Sequence, residues 1–451
     1  MIVPEIDRDY RFTRCESLTA RTLFGPICGM EESSPPTQLD PRGRGFRSRA
    51  AVEFVNSLIE RHVARIGTEP VPLAYAYRRV LADSVVALTP VPHFARAAMD
   101  GFAVIAEQTF GADAHSPARF EVIGRSRPGQ RFDGHLSAGQ AVAIATGAPV
   151  PAGADAVVPV EYSELQGDTV EIRTTVTPGK HVGRVGEDVE AGQTMLEPGR
   201  VLRAQDLGLL SALGVGSIPV VRMPSIAVIV TGDELLAPGT PPAEFTIPDT
   251  NSPMLVALIG RDGGRPVVFG PLIDDPDKLK SLIVELAANP AFDAIFVSGG
   301  SSTGPEDHAP AIVREHGELL AHGVSLRPAS PTGFGLIGGK PVLLLPGNPV
   351  SCLCAYDFFG GMIVRKLAGR ASGLPYPVIR RCLSGKIVSA LGRVDYVRVR
   401  FVGADEVEPI ATSGASILSS TTIADGFVIV SADSEGEAAG TWLDVHQYEI
   451  P

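Results

Sequence analysis

No run in these 451 residues approaches the ~18 consecutive apolar positions that a membrane-spanning helix needs, so no direct membrane insertion is expected. The opening residues, MIVPEIDRDYR, are charged at once and carry no apolar core, so they do not read as a secretory signal. Cysteine is scarce. Cys15, Cys28, Cys352, Cys354 and Cys382 are odd in number and follow no disulfide spacing. Cys352 and Cys354 flank Leu353 in an apolar stretch, which suits buried thiols better than metal ligands. Such usage fits a reducing cytoplasm. Positive charge is also short, with 39 Lys and Arg against 51 Asp and Glu and a net charge of −12. That balance excludes broad binding of nucleic acid or anionic membranes, which need a positive field. It leaves room for small anionic substrates in a local basic pocket.

Turn formers, in contrast, are abundant. Glycine (49) and proline (38) make up about a fifth of the chain, against about 12% in ordinary proteins. The length suits roughly three or more domains. Residues 1–47 are built of breakers and polar groups, as in ESSPPTQLDPRGRG, and read as a disordered extension. A helix is expected next, capped by Ser48, with Val52, Val55, Leu58, Ile59, Val63 and Ile66 on one face before Gly67. Residues 91–186 form short β runs such as FEVIG, QAVAIATG and ADAVVPV. This block interrupts an elongated domain made of 48–90 and 187–219.

From 220 to 373 strands and helices alternate. SIAVIV, RPVVFG, AIFV and VLLLPG are strands, and NSPMLVALIG, DPDKLKSLIVELAA, 308–316 and PVSCLCAYDFFGGMIVRKLAG are helices. That order predicts a doubly wound α/β domain with a mostly parallel sheet, and ligands outside the carboxyl ends of its strands. Residues 374–451 return to β patterning (VDYVRVRF, GFVIV, TWLDV) and predict a small β-barrel. The expected class is thus α/β plus β, multidomain.

Four strand ends carry similar loops: Thr231-Gly232-Asp233-Glu234, Asp274-Asp275, Ser298-Gly299-Gly300-Ser301-Ser302-Thr303 with Glu306-Asp307, and Gly347-Asn348-Pro349. Gly299 and Gly300 let a ligand approach the backbone, the hydroxyls add donors, and the next helix N-terminus favours an anion. That chemistry suits a phosphate, and the acids suit a magnesium ion bridging its oxygens. Each loop alone also reads as an ordinary turn with solvated acids. Their number on one sheet edge favours the site.

The motifs AMDGFAV, ATGAPVP, GEDVEAG, VTGDEL, DTN, LIDDP, VSGGSSTG and LPGNPVS follow one another from about residue 48 onward. In that order they resemble the molybdopterin molybdenumtransferases, the family of bacterial MoeA and the gephyrin E domain. The resemblance implies a homodimer with a cleft between subunits. It implies a reaction that consumes adenylylated molybdopterin and molybdate and releases AMP. Carried over by motif, Asp100, Thr146, Asp188, Glu234, Asp275 and Asp307 would be catalytic positions. Glu234, Asp307 and Asp188 would hold Mg²⁺. Substrate binding would fall to Gly299, Gly300, Ser301, Ser302, Thr303, Arg327, Ser330, Asn348, Arg393 and Ser416.

The chain also departs from the family pattern. Where the family has Lys-Pro-Gly-Lys-Pro, it reads Arg327-Pro328-Ala329-Ser330-Pro331. Gly-Ser becomes Gly414-Ala415, and the Asp-Asn before Ala-Met-Asp becomes Ala95-Arg96. Ser330 and Ala415 imply weakened use of molybdate. The resemblance also offers an alternative without catalysis, a gephyrin-like scaffold that captures a membrane-protein tail or a tubulin-like cytoskeletal partner.

Overall fold

The computed structural model describes Phe46, 48–301, 307–411 and 414–448. Residues 1–45 and 47 of the expected disordered extension, and the site residues Ser302 and Thr303, therefore lie outside the described residues; Phe46 is placed, its ring edge-on to His322.

The α/β domain carries the candidate site. Its elements are β1 (Ser225–Thr231), α1 (Asn251–Arg261), β2 (Arg265–Leu272), α2 (Pro276–Ala288), β3 (Ala294–Ser298), α3 (Ala309–His316), β4 (Glu318–His322), β5 (Gly333–Ile337) and β6 (Lys340–Leu345). The sheet order is β2-β1-β3-β6-β5-β4. β2, β1, β3 and β6 run parallel. Residues of β1 and β3 are fully buried, as strands covered on both faces must be. One face packs Leu255 and Ile259 of α1 and the 349–367 helix against Val228 and Phe296. The other packs Leu279 and Ile283 of α2 and Ile312 and Val313 of α3 against Ile229 and Val297.

β4 and β5 were not read from the sequence. They pair antiparallel, and β5 joins β6 through a hairpin closed by Gly338 (φ 58°) and Gly339 (φ 78°). Both central residues need positive φ, so Gly-Gly was the available signal. β4 consequently points the same way as β6, and His322 ends at the same sheet edge as Leu345.

The first helix runs from Val52 to His62. Ser48 does not cap it. Ala51 holds that position and has no side-chain acceptor to offer. The chain is already extended at Val63, which stays buried. Val52, Val55, Leu58 and Ile59 pack into the α/β core rather than against 187–219. Residues 68–72 pair antiparallel with 217–221, and the helix Ala204–Ala212 closes a small core around Leu81, Leu202 and Leu210. The block between them forms its own six-stranded sheet with a core on each face, drawn from residues 97–182.

The last domain closes into a five-stranded barrel: Val394–Val402, Glu406–Ala411, Val378–Leu383, Trp442–Gln447, Gly426–Val430 and back to the first. Val397 and Val399 fill it, as the alternation predicts. The opposite face is also covered. Tyr396 joins the α/β core, and Arg398 is almost fully buried. Leu326–Arg327 adds a short parallel strand to Val394–Asp395, which ties the barrel to the loop after β4. Among the described residues no helix is long and apolar enough to cross a membrane.

Candidate active site

The four strand-end loops meet. Register alone puts Val230 beside Ser298 and Ser298 beside Leu345. Thr231 donates its hydroxyl to Asp274 Oδ1 at 2.5 Å, and the Asp274 amide donates to Asp233 Oδ1 at 2.9 Å. Asn251 Nδ2 donates to Ser298 Oγ (2.9 Å) and to the Gly347 carbonyl (2.7 Å), so one side chain links α1, β3 and β6. Asp249 holds that asparagine in place by accepting from the amides of Asn251 and Ser252 and from the Ser252 hydroxyl. Gly299 is required twice over. Its φ is +101°, and a Cβ there would lie 2.2 Å from the Thr231 carbonyl.

Several predicted residues stand together here. Glu234 is exposed on the loop after β1. Asp307 opens the turn into α3. Ser301 is buried, and its Oγ has no partner among the described residues. Its carbonyl accepts from His322 Nε2 at 2.8 Å. Burial holds the His322 imidazole below its usual pKa, so that ring is neutral near pH 7. Ser416 donates to Asn348 Oδ1 at 2.8 Å, and the Val350 amide donates to the Ala415 carbonyl. The barrel loop thus forms one wall of the same edge.

Asp275 has a different role from the one its motif suggests. Its carboxylate caps α2, accepting from the amides of Asp277 and Lys278 at 3.1 Å each. The Lys278 amide is the first cause of its lowered pKa. The acid bonded to the end of β1 is its neighbour Asp274.

The two retained cations share one carboxylate. Arg327 Nη2 donates to Asp395 Oδ2, and Arg393 Nε lies 3.1 Å from Asp395 Oδ1. Ser389 donates a further bond to the same group. Asp395 is 1% exposed, so the trio is a built cluster with one net positive charge. Beside Arg327 in the chain, Ser330 Oγ is buried without a partner among the described residues.

Asp100, Thr146 and Asp188 lie on the inserted block and its border. Asp100 Oδ1 accepts from the Thr146 amide at 2.7 Å, and both residues are exposed. Asp188 ends an exposed turn held by bonds from Gly186 and Asp188 to Pro92 and Val91. This pairing leaves the three residues on a different domain from the strand-end loops. Among the described residues no three acidic, histidine or cysteine side chains form a metal cage.

Three family models match the chain in order: the MoeA N-terminal region (domains I and II) over 50–214, the "probable molybdopterin binding domain" over 227–366, and the MoeA C-terminal region (domain IV) over 381–448. A molybdopterin biosynthesis protein of Methanocaldococcus jannaschii is 34% identical over 386 residues, 83% of this chain and 91% of that one. The chain belongs to the MoeA family. Another MoeA-family relative, molybdopterin molybdenumtransferase 2 of Mycobacterium tuberculosis, is 40% identical over 314 residues, 68% of this chain and 76% of that one. The crystal structure of a MoeA protein from Pyrococcus horikoshii superposes with a TM-score of 0.78 at 32% identity, over 89% of this chain and all of that one.

The MoeA-family loop also explains a local strain. Ala329 stands where the family pattern has glycine, and its φ is +115°. That conformation is costly for any residue with a Cβ. Ala329→Gly should therefore raise stability by about 1 kcal/mol in chemical denaturation. An unchanged or lower midpoint would show that the backbone relaxes elsewhere.

Proposed function

We propose that this chain transfers molybdenum to adenylylated molybdopterin and releases AMP at the strand-end edge of its α/β domain. The observation that carries this reading is the convergence of the strand-end loops there, with Gly299 packed against the Thr231 carbonyl and acids on three of the loops. It is supported by relatives named molybdopterin molybdenumtransferase. The bond broken is the phosphoanhydride between AMP and the pterin phosphate; water supplies the oxygen that completes the second phosphate, and molybdate gives up oxygen as water where the two dithiolene sulfurs bind, with no change of oxidation state.

Magnesium fits the donor set, because Mg²⁺ takes one or two carboxylates and completes its shell with water and substrate oxygens. Glu234 and Asp307, with Asp188 from the inserted block's border of a second copy, would hold it. When bound, it would neutralise charge on the anhydride oxygens. The protein's own part is orientation: Asn251 fixes two strand ends to α1, and Ser301, Ser330 and Asn251 keep buried oxygens without partners among the described residues, ready for a polar ligand. No cysteine is needed. Burial pushes the Cys352 thiol up to about 12 and raises the Cys354 thiol well above its usual value, so neither offers a thiolate. The sulfurs for molybdenum come from the substrate's dithiolene. Complementation of a strain that cannot insert molybdenum tests the reading. Failure to restore a molybdoenzyme, with the protein expressed and folded, favours the scaffold alternative instead.

Ser330 refines the proposal. A lysine there would add a charge-assisted contact to a dianion, worth roughly 1.5–3 kcal/mol, or about 10- to 150-fold in affinity. The Arg327–Asp395–Arg393 cluster still supplies net positive charge. Ser330→Lys should lower the molybdate concentration needed for half-maximal AMP release. If the wild type already saturates at the same concentration as the variant, another group performs that task.

The same reading calls for a homodimer. Asp100, Thr146 and Asp188 sit on another domain, and a second copy can bring them to the strand-end edge. Tyr75 (74%) and Leu88 (89%) in the elongated segment are strongly exposed for their type and suit such a contact. Sedimentation should give twice the 47.3 kDa chain mass at micromolar concentration. A monomer there would refute shared-cleft assembly.

A further inference from the structure

A second basic site lies at the other end of the α/β domain. Arg222 and Met223 precede β1, and Gly260 and Gly263 stand at the end of α1. They line a cavity of about 130 Å³ together with Tyr77, Arg78, Arg79 and Arg370. The seven-residue strand β1 separates this cavity from the strand-end loops, a distance of roughly 20 Å.

Four arginines converge here in a chain whose net charge is −12. Two have carboxylate partners. Arg79 pairs with Glu69 at 2.5 Å, and Arg222 pairs with Asp293 at 2.6 Å. Arg370 is held by backbone carbonyls. It donates to those of Arg261 (3.1 Å) and Arg78 (2.8 Å), and its buried Nε has no partner among the described residues. Arg78 is exposed and is kept at φ +61°, a conformation that favours glycine. Gly263 makes the seat for Arg370: a Cβ there would lie 2.6 Å from Arg370 Nε. Burial first, and then the charge of Arg78, pull the Arg370 guanidinium below its usual pKa. The pocket therefore concentrates cationic charge that its own carboxylates do not balance.

We propose that this cavity binds a small tetrahedral oxyanion, gripped by the guanidinium groups of Arg78 and Arg370. Guanidinium forks match the geometry of phosphate-like oxyanions. The volume admits one such group and not a whole nucleotide, so a nucleotide could enter only by its phosphate, with Tyr77 beside the opening.

Calorimetric titration of inorganic phosphate and sulfate into the full chain tests this. Arg78→Gly is the informative variant, because glycine suits φ +61° and the fold should hold. Affinity should fall at least about 10-fold in Arg78→Gly, and likewise in Arg370→Gln. It should be unchanged in Arg131→Ala, an exposed arginine of the inserted block that lies in neither site. Arg78-dependent binding of AMP tighter than that of phosphate identifies a nucleotide phosphate as the ligand. Equal affinities identify the free oxyanion. Undetectable phosphate binding at millimolar concentration, unchanged affinity in Arg78→Gly, or an equal loss in Arg131→Ala overturns the proposal.

Discussion

Glu234→Ala and, separately, Asp307→Ala should each lower AMP release by about 100-fold or more, with little change in the unfolding midpoint. Charge stabilisation of that kind contributes ~10²–10³ in rate when a single partner is removed. Glu234 is exposed on its loop, so the fold draws little from it. Asp275→Ala should behave in the opposite way. Its carboxylate caps α2, so the variant should lose stability and retain most of the reaction. Parallel measurement of AMP release and denaturation midpoint separates the two classes. Unchanged AMP release in both Glu234→Ala and Asp307→Ala would remove those acids from the site.

The largest stability effect is expected at Asp395. It is buried and pairs with both Arg327 and Arg393, and it sits on the strand that Leu326–Arg327 joins. Its removal leaves two like charges side by side with no counter-ion. Breaking a buried pair costs about 3–5 kcal/mol. Arg327 and Arg393 are 28% and 35% exposed at their side chains, which places the expectation near the lower end, about 3 kcal/mol. Asp395→Ala should shift urea unfolding accordingly. A loss below about 1 kcal/mol would mean that water solvates both guanidinium groups without help.

The α/β domain was legible because buried parallel strands read as unbroken apolar runs, and four such runs alternate with amphipathic helices. The strand-end loops were legible because glycine and carboxylates follow those runs at once. Finer points depended on pairing, which one sequence does not display. Asp274 and Asp275 are adjacent, and the direction of α2 alone decides which caps and which faces Thr231. Asn251 lies within a motif the reading used, yet its bonds reach residues 47 and 96 positions away. Arg327 and Arg393 read as substrate-binding residues with no carboxylate partner in view, because Asp395 meets Arg327 through a strand pairing across domains. The Ser48 cap failed for a local reason: the helix begins one turn later, at Val52. The Gly338-Gly339 hairpin was a signal present in the chain and left unused.

The most direct test of the central claim is a single-turnover reaction of the purified protein with adenylylated molybdopterin, magnesium and molybdate, scored for AMP and for molybdenum bound to the pterin. The proposed function predicts AMP release that depends on molybdate and matches the molybdenum incorporated one for one. AMP that fails to appear from authentic substrate, or appears without molybdenum transfer, would contradict it.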